Sequence, residues 1–534
     1  MLAQPVRGLG GVRLSWVALC GGLLSCAVSK DATRNDAPPD TAERVPTVPF
    51  ALGPTRPCAS PQAAVSYVER AAELGLTGAH PDGDHGESGF VVVDDFDLDG
   101  DLDILVSHLR TGGGATVYRR SEAGFVAEPE AGPPSLTWLP SLLDLDGDGD
   151  RDILFGGGST LINDGDHFTA GTLPLADGSA LPPRLVRELV VGDLNRDGHD
   201  DLYAVCTGRD DGAPEAADFL LWGQPDGRFV VDLDTVPAAM GAHLGFDGLL
   251  IDLDNNGWLD VYVDNDKGGP NLVLFNDGGE LRSGAEACDC AISHSGMGMD
   301  VADRNGDGLP DLYLSGTERN VLIESTAGGG YIDTTLIMDA SPLENQGTVL
   351  AMSWGAVWLD HDNDGQQDLL ITQGDLWDRA VGDPEDHMGD MALSLLRGHE
   401  TGGFTDESAA LGLDAAGSFR AVVAADLNED GVLDLIVTDV AAAPQLYWSE
   451  GCTAAGWLEV EAPRGARVEV TAGGHTQTDW VMTDSGWGAA QPPVVHFGLG
   501  DAQDVDHLRV VMPDGRVLDA ETPFPARRRV APPK

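Results

Sequence analysis

Asp95-Phe96-Asp97-Leu98-Asp99-Gly100-Asp101-Leu102-Asp103-Ile104-Leu105-Val106 places carboxylates at positions 1, 3, 5 and 9 of a short loop, with glycine at position 6 and an apolar run behind it. The pattern returns with Asp144, Asp146, Asp148 and Asp152, and with Asp193, Asn195, Asp197 and Asp201. It recurs with Asp252, Asp254, Asn256 and Asp260, and with Asp303, Asn305, Asp307 and Asp311. The last two copies hold Asp360, Asp362, Asp364 and Asp368, then Asp426, Asn428, Asp430 and Asp434. Start-to-start intervals are 49, 49, 59, 51, 57 and 66 residues. Such near-regular spacing implies one structural unit per repeat, with insertions of variable length.

Oxygens at positions 1, 3, 5 and 9 converge on one point when the backbone curls, and glycine at position 6 allows the sharp turn. Position 7 can add its carbonyl. Hard oxygen ligands on a short loop suit Ca²⁺, with Mg²⁺ the less fitting ion because it demands a tighter octahedron. Clustered carboxylates repel one another unless a cation lies among them. Up to seven Ca²⁺ are therefore expected, held most tightly by the all-Asp loops that start at Asp95, Asp144 and Asp360. The apolar run after position 9 reads as a strand, not as the exiting helix of an EF-hand. His361, at position 2, is expected to be exposed and not a ligand.

β-like runs flank each loop. Phe90–Val93, Leu189–Val191 and Ala421–Val423 precede a loop, while Ile104–Val106 and Leu369–Ile371 follow one. A third run and a turn come next, as in Thr160–Gly165 and Val273–Gly278, and Phe168, Phe229 and Phe404 open a fourth. Four strands in about 55 residues is the size of a propeller blade. The expected fold class is all-β: a seven-bladed β-propeller over residues 61–452, followed by a small C-terminal β domain over 453–534. A β-solenoid is the alternative, but its repeats are shorter.

The loops resemble the FG-GAP/VCBS repeats of integrin α-subunit propellers. Gly296–Asp303 and Ser353–Asp360, with the loops after them, resemble the cartilage acidic protein 1/ASPIC family. Tyr67–Leu76 and Phe404–Leu413 look like that family's blade-edge element. Trp457–Val460, Gly465–Val470, Val495–Gly500 and Leu508–Val517 resemble its ASPIC/UnbV domain, with a departure near 485–488. The resemblance implies an exported or extracellular calcium-binding propeller.

Composition sets the outer limits. With 31 basic and 88 acidic residues the net charge is −57, which argues against nucleic acid as a partner. A hydrophobic share of 42% is too high for a disordered acidic tail. Arg7 and Arg13 precede an apolar stretch from Leu14 to Leu24, too short to cross a bilayer, which ends in Leu23-Leu24-Ser25-Cys26. This resembles a bacterial lipobox, so residues 1–25 are expected to be a lipoprotein signal peptide, Cys26 the lipidated residue, and 26–60 a flexible tether. An ordinary signal peptide with a chance cysteine is the plainer alternative. The expected location is the outer membrane or cell surface of a bacterium.

Cys58, Cys206, Cys288, Cys290 and Cys452 remain, an odd number, so at least one is free or pairs between chains. Spacing does not settle their connectivity. Because the ends of a closed propeller meet, a Cys58–Cys452 disulfide is expected. Arg527-Arg528-Arg529 reads as a solvated end.

No metalloprotease, nucleophile-elbow or Walker motif occurs, so no catalytic residue is assigned. An insertion after Ile371, carrying Trp377, Arg379 and His387, is a candidate ligand contact. Cys288–His294 is a weaker one. The expected function is binding or adhesion to an extracellular protein or glycan. An extracellular polysaccharide-active enzyme and an auxiliary biosynthetic protein are the alternatives.

Overall fold

The computed structural model describes residues 47–77, 89–107, 115–131, 138–165, 167–207, 217–236, 244–317, 319–341, 352–374, 391–440, 442–484 and 486–533. The signal peptide, Cys26 and the insertion bearing Trp377, Arg379 and His387 lie outside them.

Seven antiparallel sheets form the blades of a propeller. Their inner strands are Phe90–Asp94, Pro140–Leu143, Leu185–Gly192, Gly245–Ile251, Ser295–Ala302, Ser353–Leu359 and Phe419–Ala425. Each inner strand neighbours the next, and the seventh neighbours the first. These strands are buried on both faces, which explains their continuous apolar runs, and clusters of buried side chains fill the seams between blades. Glu188, Asp247 and Asp300 interrupt those runs, yet each carboxylate accepts the N–H of a residue one blade on: Gly248 at 2.7 Å, Met299 at 2.8 Å and Trp358 at 2.7 Å. A buried acid so paired avoids the cost of an unsatisfied polar group.

Blade 7 is composite. Phe419–Ala425, Asp434–Asp439 and Gln445–Ser449 are joined by Tyr67–Glu69 from the start of the described chain, antiparallel to Gln445–Ser449. Tyr67–Glu69 and Phe404–Asp406 are outer strands, each followed by a one-turn helix (Ala71–Leu74, Ser408–Leu411) and a glycine with positive φ (Gly75, Gly412). Cys58 and Cys452 form the expected disulfide, with Cα atoms 5.8 Å apart. Cys288 pairs with Cys290, and Cys206 is free and buried.

The C-terminal unit packs two sheets around Leu458, Val468, Val470, Phe497, Leu508 and Val510. Here the tether expectation is corrected. Thr47–Val48 pairs in parallel with Val517–Ala520, and Ala51–Leu52 pairs antiparallel with Arg528–Ala531. Phe50, between them, lies in the core. Residues 47–52 are thus a structural part of the C-terminal unit. The arginine end is corrected too: Arg527 and Arg528 are buried, and Arg529 Nε donates to Glu459 Oε2 at 2.9 Å.

The C-terminal unit also enters the ring. Ala489–Ala490 runs parallel to the inner strand of blade 1. Trp487 is fully buried, with ring centroids 5.0 Å from Trp354, 5.4 Å from Phe90 and 6.5 Å from Phe246. Gly298 is required here, because a Cβ on it would lie 2.6 Å from the Trp487 backbone nitrogen. Propeller and C-terminal unit make one compact body over 46–534 rather than two separable domains.

Candidate metal centre

In every blade the acidic loop joins the inner strand to the second strand, so all seven loops emerge on one face of the ring. The residue at position 9 opens the second strand: Asp103, Asp152, Asp201, Asp260, Asp311, Asp368 and Asp434. Each is buried, and its carboxylate holds two backbone segments together. One oxygen accepts the N–H of position 2 of its own loop, at 2.7–3.3 Å. The other accepts an N–H of the third strand, at 2.6–2.8 Å.

The position-1 aspartate folds the loop over itself. Its Oδ2 accepts the N–H of the position-6 glycine at 2.7–3.1 Å in all seven. Those glycines have positive φ, as the turn requires. Position 4 is also left-handed in every copy: Leu98, Gly147, Arg196, Asn255, Gly306, Asn363 and Glu429. Sequence reasoning missed this second turn residue, because only two of the seven are glycine.

The curl brings the ligand candidates together. Carboxylate oxygens lie within 4.8 Å of one another for Asp95, Asp97 and Asp99, for Asp144, Asp146 and Asp152, for Asp252, Asp254 and Asp260, and for Asp360, Asp362 and Asp364. The loops with asparagine at position 3 show the same backbone curl. Asn195, Asn305 and Asn428 each accept the N–H of position 5 at 2.9 Å.

Burial pushes these acids upward. Asp103 and Asp152 rise to about 6, Asp201 and Asp311 to about 7, and Asp260 and Asp434 to about 8, each mainly by desolvation. Burial disfavours the charged form of each carboxyl, a cost that a bound cation would offset. Asp362 Oδ1 is buried without a hydrogen-bond partner. An all-oxygen donor set, converging geometry and an orphaned carboxylate oxygen fit a hard divalent cation.

His361 is not exposed as expected. It is buried, and its Nδ1 hydrogen-bonds Asp368 Oδ2, so the imidazole braces a ligand candidate.

The C-terminal unit sits on this same loop face. His496 Nε2 and Asn363 Oδ1 are 2.7 Å apart, and Gly500 N donates to Asn363 O at 2.9 Å. Arg467 Nη1 donates to Asn255 Oδ1 at 2.9 Å. The contacts fall on left-handed position 4, which the curl turns outward.

Two family models agree with this architecture. A model described as FG-GAP-like repeat matches residues 95–155, 252–314 and 360–437, each span opening on an acidic loop. A model described as ASPIC and UnbV matches 461–530. Cartilage acidic protein 1 of Xenopus tropicalis is 27% identical over an alignment of 320 residues that covers 54% of this chain. That match spans 45% of the relative's own length. Among solved structures, one described as the basis of specific recognition of non-reducing terminal N-acetylglucosamine by an Agrocybe aegerita lectin is 16% identical, with a TM-score of 0.41, covering 68% of this chain and 99% of that one. A Photorhabdus luminescens Tc holotoxin pore is 14% identical, with a TM-score of 0.28, covering 65% of this chain and 18% of that one. With acidic loops at the head of each matched repeat and an ASPIC and UnbV region behind them, the chain belongs to the cartilage acidic protein 1/ASPIC-UnbV family of FG-GAP-repeat proteins.

Proposed function

We propose that this protein is an exported, lipid-anchored, calcium-binding propeller that presents its surface to an extracellular protein or glycan. The observation that carries the reading is the sevenfold array of oxygen-only loops on one face, each curled by the same hydrogen bonds. Positions 1, 3, 5 and 9 hold the ion in this reading, and its role is structural. It neutralises the carboxylates and locks the hairpin that leads into the second strand. Extracellular calcium modules bind at about 10⁻⁴–10⁻³ M, so the sites fill outside a cell. Each filled site adds stability by mass action. Export and anchoring rest on the n-region, the apolar stretch and Cys26. The relative's name, cartilage acidic protein 1, is compatible with an extracellular setting. No catalytic step is assigned.

Elemental analysis and thermal melts with calcium or EDTA test the ion. A melt indifferent to EDTA, with no calcium retained, overturns that part. Glycan-array and pull-down screens with and without calcium test the binding role. Catalytic turnover of a glycan, abolished by a substitution outside the loops, would replace it with an enzymatic one. Palmitate labelling lost in Cys26→Ser tests the anchor.

A further inference from the structure

The seven loops are not electrostatically equal, and counting their aspartates misorders them. In blade 6, Arg397 reaches from the third strand into the loop. Its Nη2 lies 2.7 Å from Asp362 Oδ2 and 2.8 Å from Asp364 Oδ2, so a single donor group bridges positions 3 and 5. In blade 1, Arg119 occupies the same register. Its Nη1 donates to Asp103 Oδ2 at 3.0 Å and lies 4.0 Å from Asp97 Oδ2, bridging positions 9 and 3. Arg119 is buried, so its charge is not shared with water. At this register the other blades carry Ile162, Trp222, Phe275, Glu324 and Trp448. Glu324 is itself paired with Arg304. Among the described residues, no arginine or lysine ion-pairs with a ligand carboxylate of those five loops.

We propose that Arg119 and Arg397 are built-in counter-ions that compete with calcium, so that the loops of blades 1 and 6 fill last. The inference rests on the calcium reading above. A guanidinium that holds candidate ligand oxygens, two by close contact in Arg397 and one by a hydrogen bond with a second in ion-pair range in Arg119, must leave before an ion can take them, and charge-assisted hydrogen bonds are the strong ones. Blade 6 is held further by the C-terminal unit through Asn363. Of the three all-Asp loops only the one in blade 2, starting at Asp144, has no such cation, and it is the tightest site.

Equilibrium dialysis of calcium on the full chain tests this with wild type, Arg397→Gln and the Arg119→Gln/Arg397→Gln pair. Wild type should show five tight sites and two weak ones. Arg397→Gln should move one weak site into the tight class, tightening it about tenfold or more, and the double variant should move both. Melting gives a second readout: Arg397→Gln should melt below wild type in EDTA and regain the difference in calcium. Seven equivalent sites in wild type, or isotherms unchanged by the substitutions, overturn the proposal while leaving calcium binding intact. No calcium on any of the proteins overturns the calcium reading itself, and this inference falls with it.

Discussion

Asp152 and its counterparts at position 9 do two jobs that one substitution can separate. Each accepts two backbone N–H groups, and each offers oxygen to an ion. Asp152→Ala would strand the N–H groups of Leu145 and Asn163 in the interior. Unsatisfied buried donors cost about 1–3 kcal/mol each, so a loss of roughly 2–6 kcal/mol is expected in both EDTA and calcium. Asp146→Ala, at exposed position 3, should leave the EDTA stability nearly unchanged and remove only the calcium-dependent part. Denaturant titrations of both variants in the two buffers check the contrast. Equal losses in EDTA would mean that position 9 is not the structural clasp described here. The ligand spacing was legible because it is written along a single loop. The second N–H of each clasp was not, since it comes from a strand 11–30 residues away.

At the scale of elements, blade 7 depends on the meeting of distant segments. Its outer strand, Tyr67–Glu69, is separated from its partner Gln445–Ser449 by most of the chain, and Cys58–Cys452 closes a span of 394 residues. Cross-linking so long a span restricts the unfolded chain strongly, by about 6 kcal/mol in the chain-entropy model. The Cys58→Ser/Cys452→Ser pair should therefore lower the melting temperature by several degrees. Hydrogen exchange should show Gln445–Ser449 opening before the inner strands of blades 2–6. Uniform exchange across all blades would remove blade 7 as the weak sector. Removing residues 47–52 attacks the other composite element. It takes edge strands from two sheets and Phe50 from the core of the C-terminal unit, so exposed apolar surface and dye binding should rise.

For the whole molecule, the loop face is where the propeller meets the C-terminal unit, and Trp487 fills the axis behind it. Calcium removal should loosen this docking as well as the loops. Faster hydrogen exchange at Ala489–Ala490 and rising Trp487 exposure by fluorescence quenching in EDTA would show it, whereas protection unchanged there would confine the ion's effect to the loops. The axis also carries a pH signature. Glu188 and Asp247 are held well above the ordinary carboxylate range, mainly by desolvation, and Asp300 is pushed up to about 7 by the same cause. An acid with a raised folded value binds its proton more tightly in the native state. Its contribution is full below about pH 4 and is lost as pH rises through the folded value. Stability carried by these three should thus fall on going from pH 6 to pH 9. Glu188→Gln with Asp247→Asn should flatten that fall in melts across the range, and an undiminished alkaline loss would place its origin elsewhere.

Local chemistry let the sequence by itself determine the loops, the number of sectors and the order of strands within a blade. Carboxylate spacing, a glycine at a left-handed turn and a run of β-branched residues act within a dozen positions. Tertiary structure alone decided that residues 47–52 complete the C-terminal sheets, that Arg527 and Arg528 are buried, that His361 braces Asp368, and that Arg119 and Arg397 reach into two of the loops. It also placed Trp487 on the axis of the ring, among inner strands of several blades. Each of these depends on which distant segments share a surface, and a charged or apolar side chain carries no local mark of the neighbour it will meet.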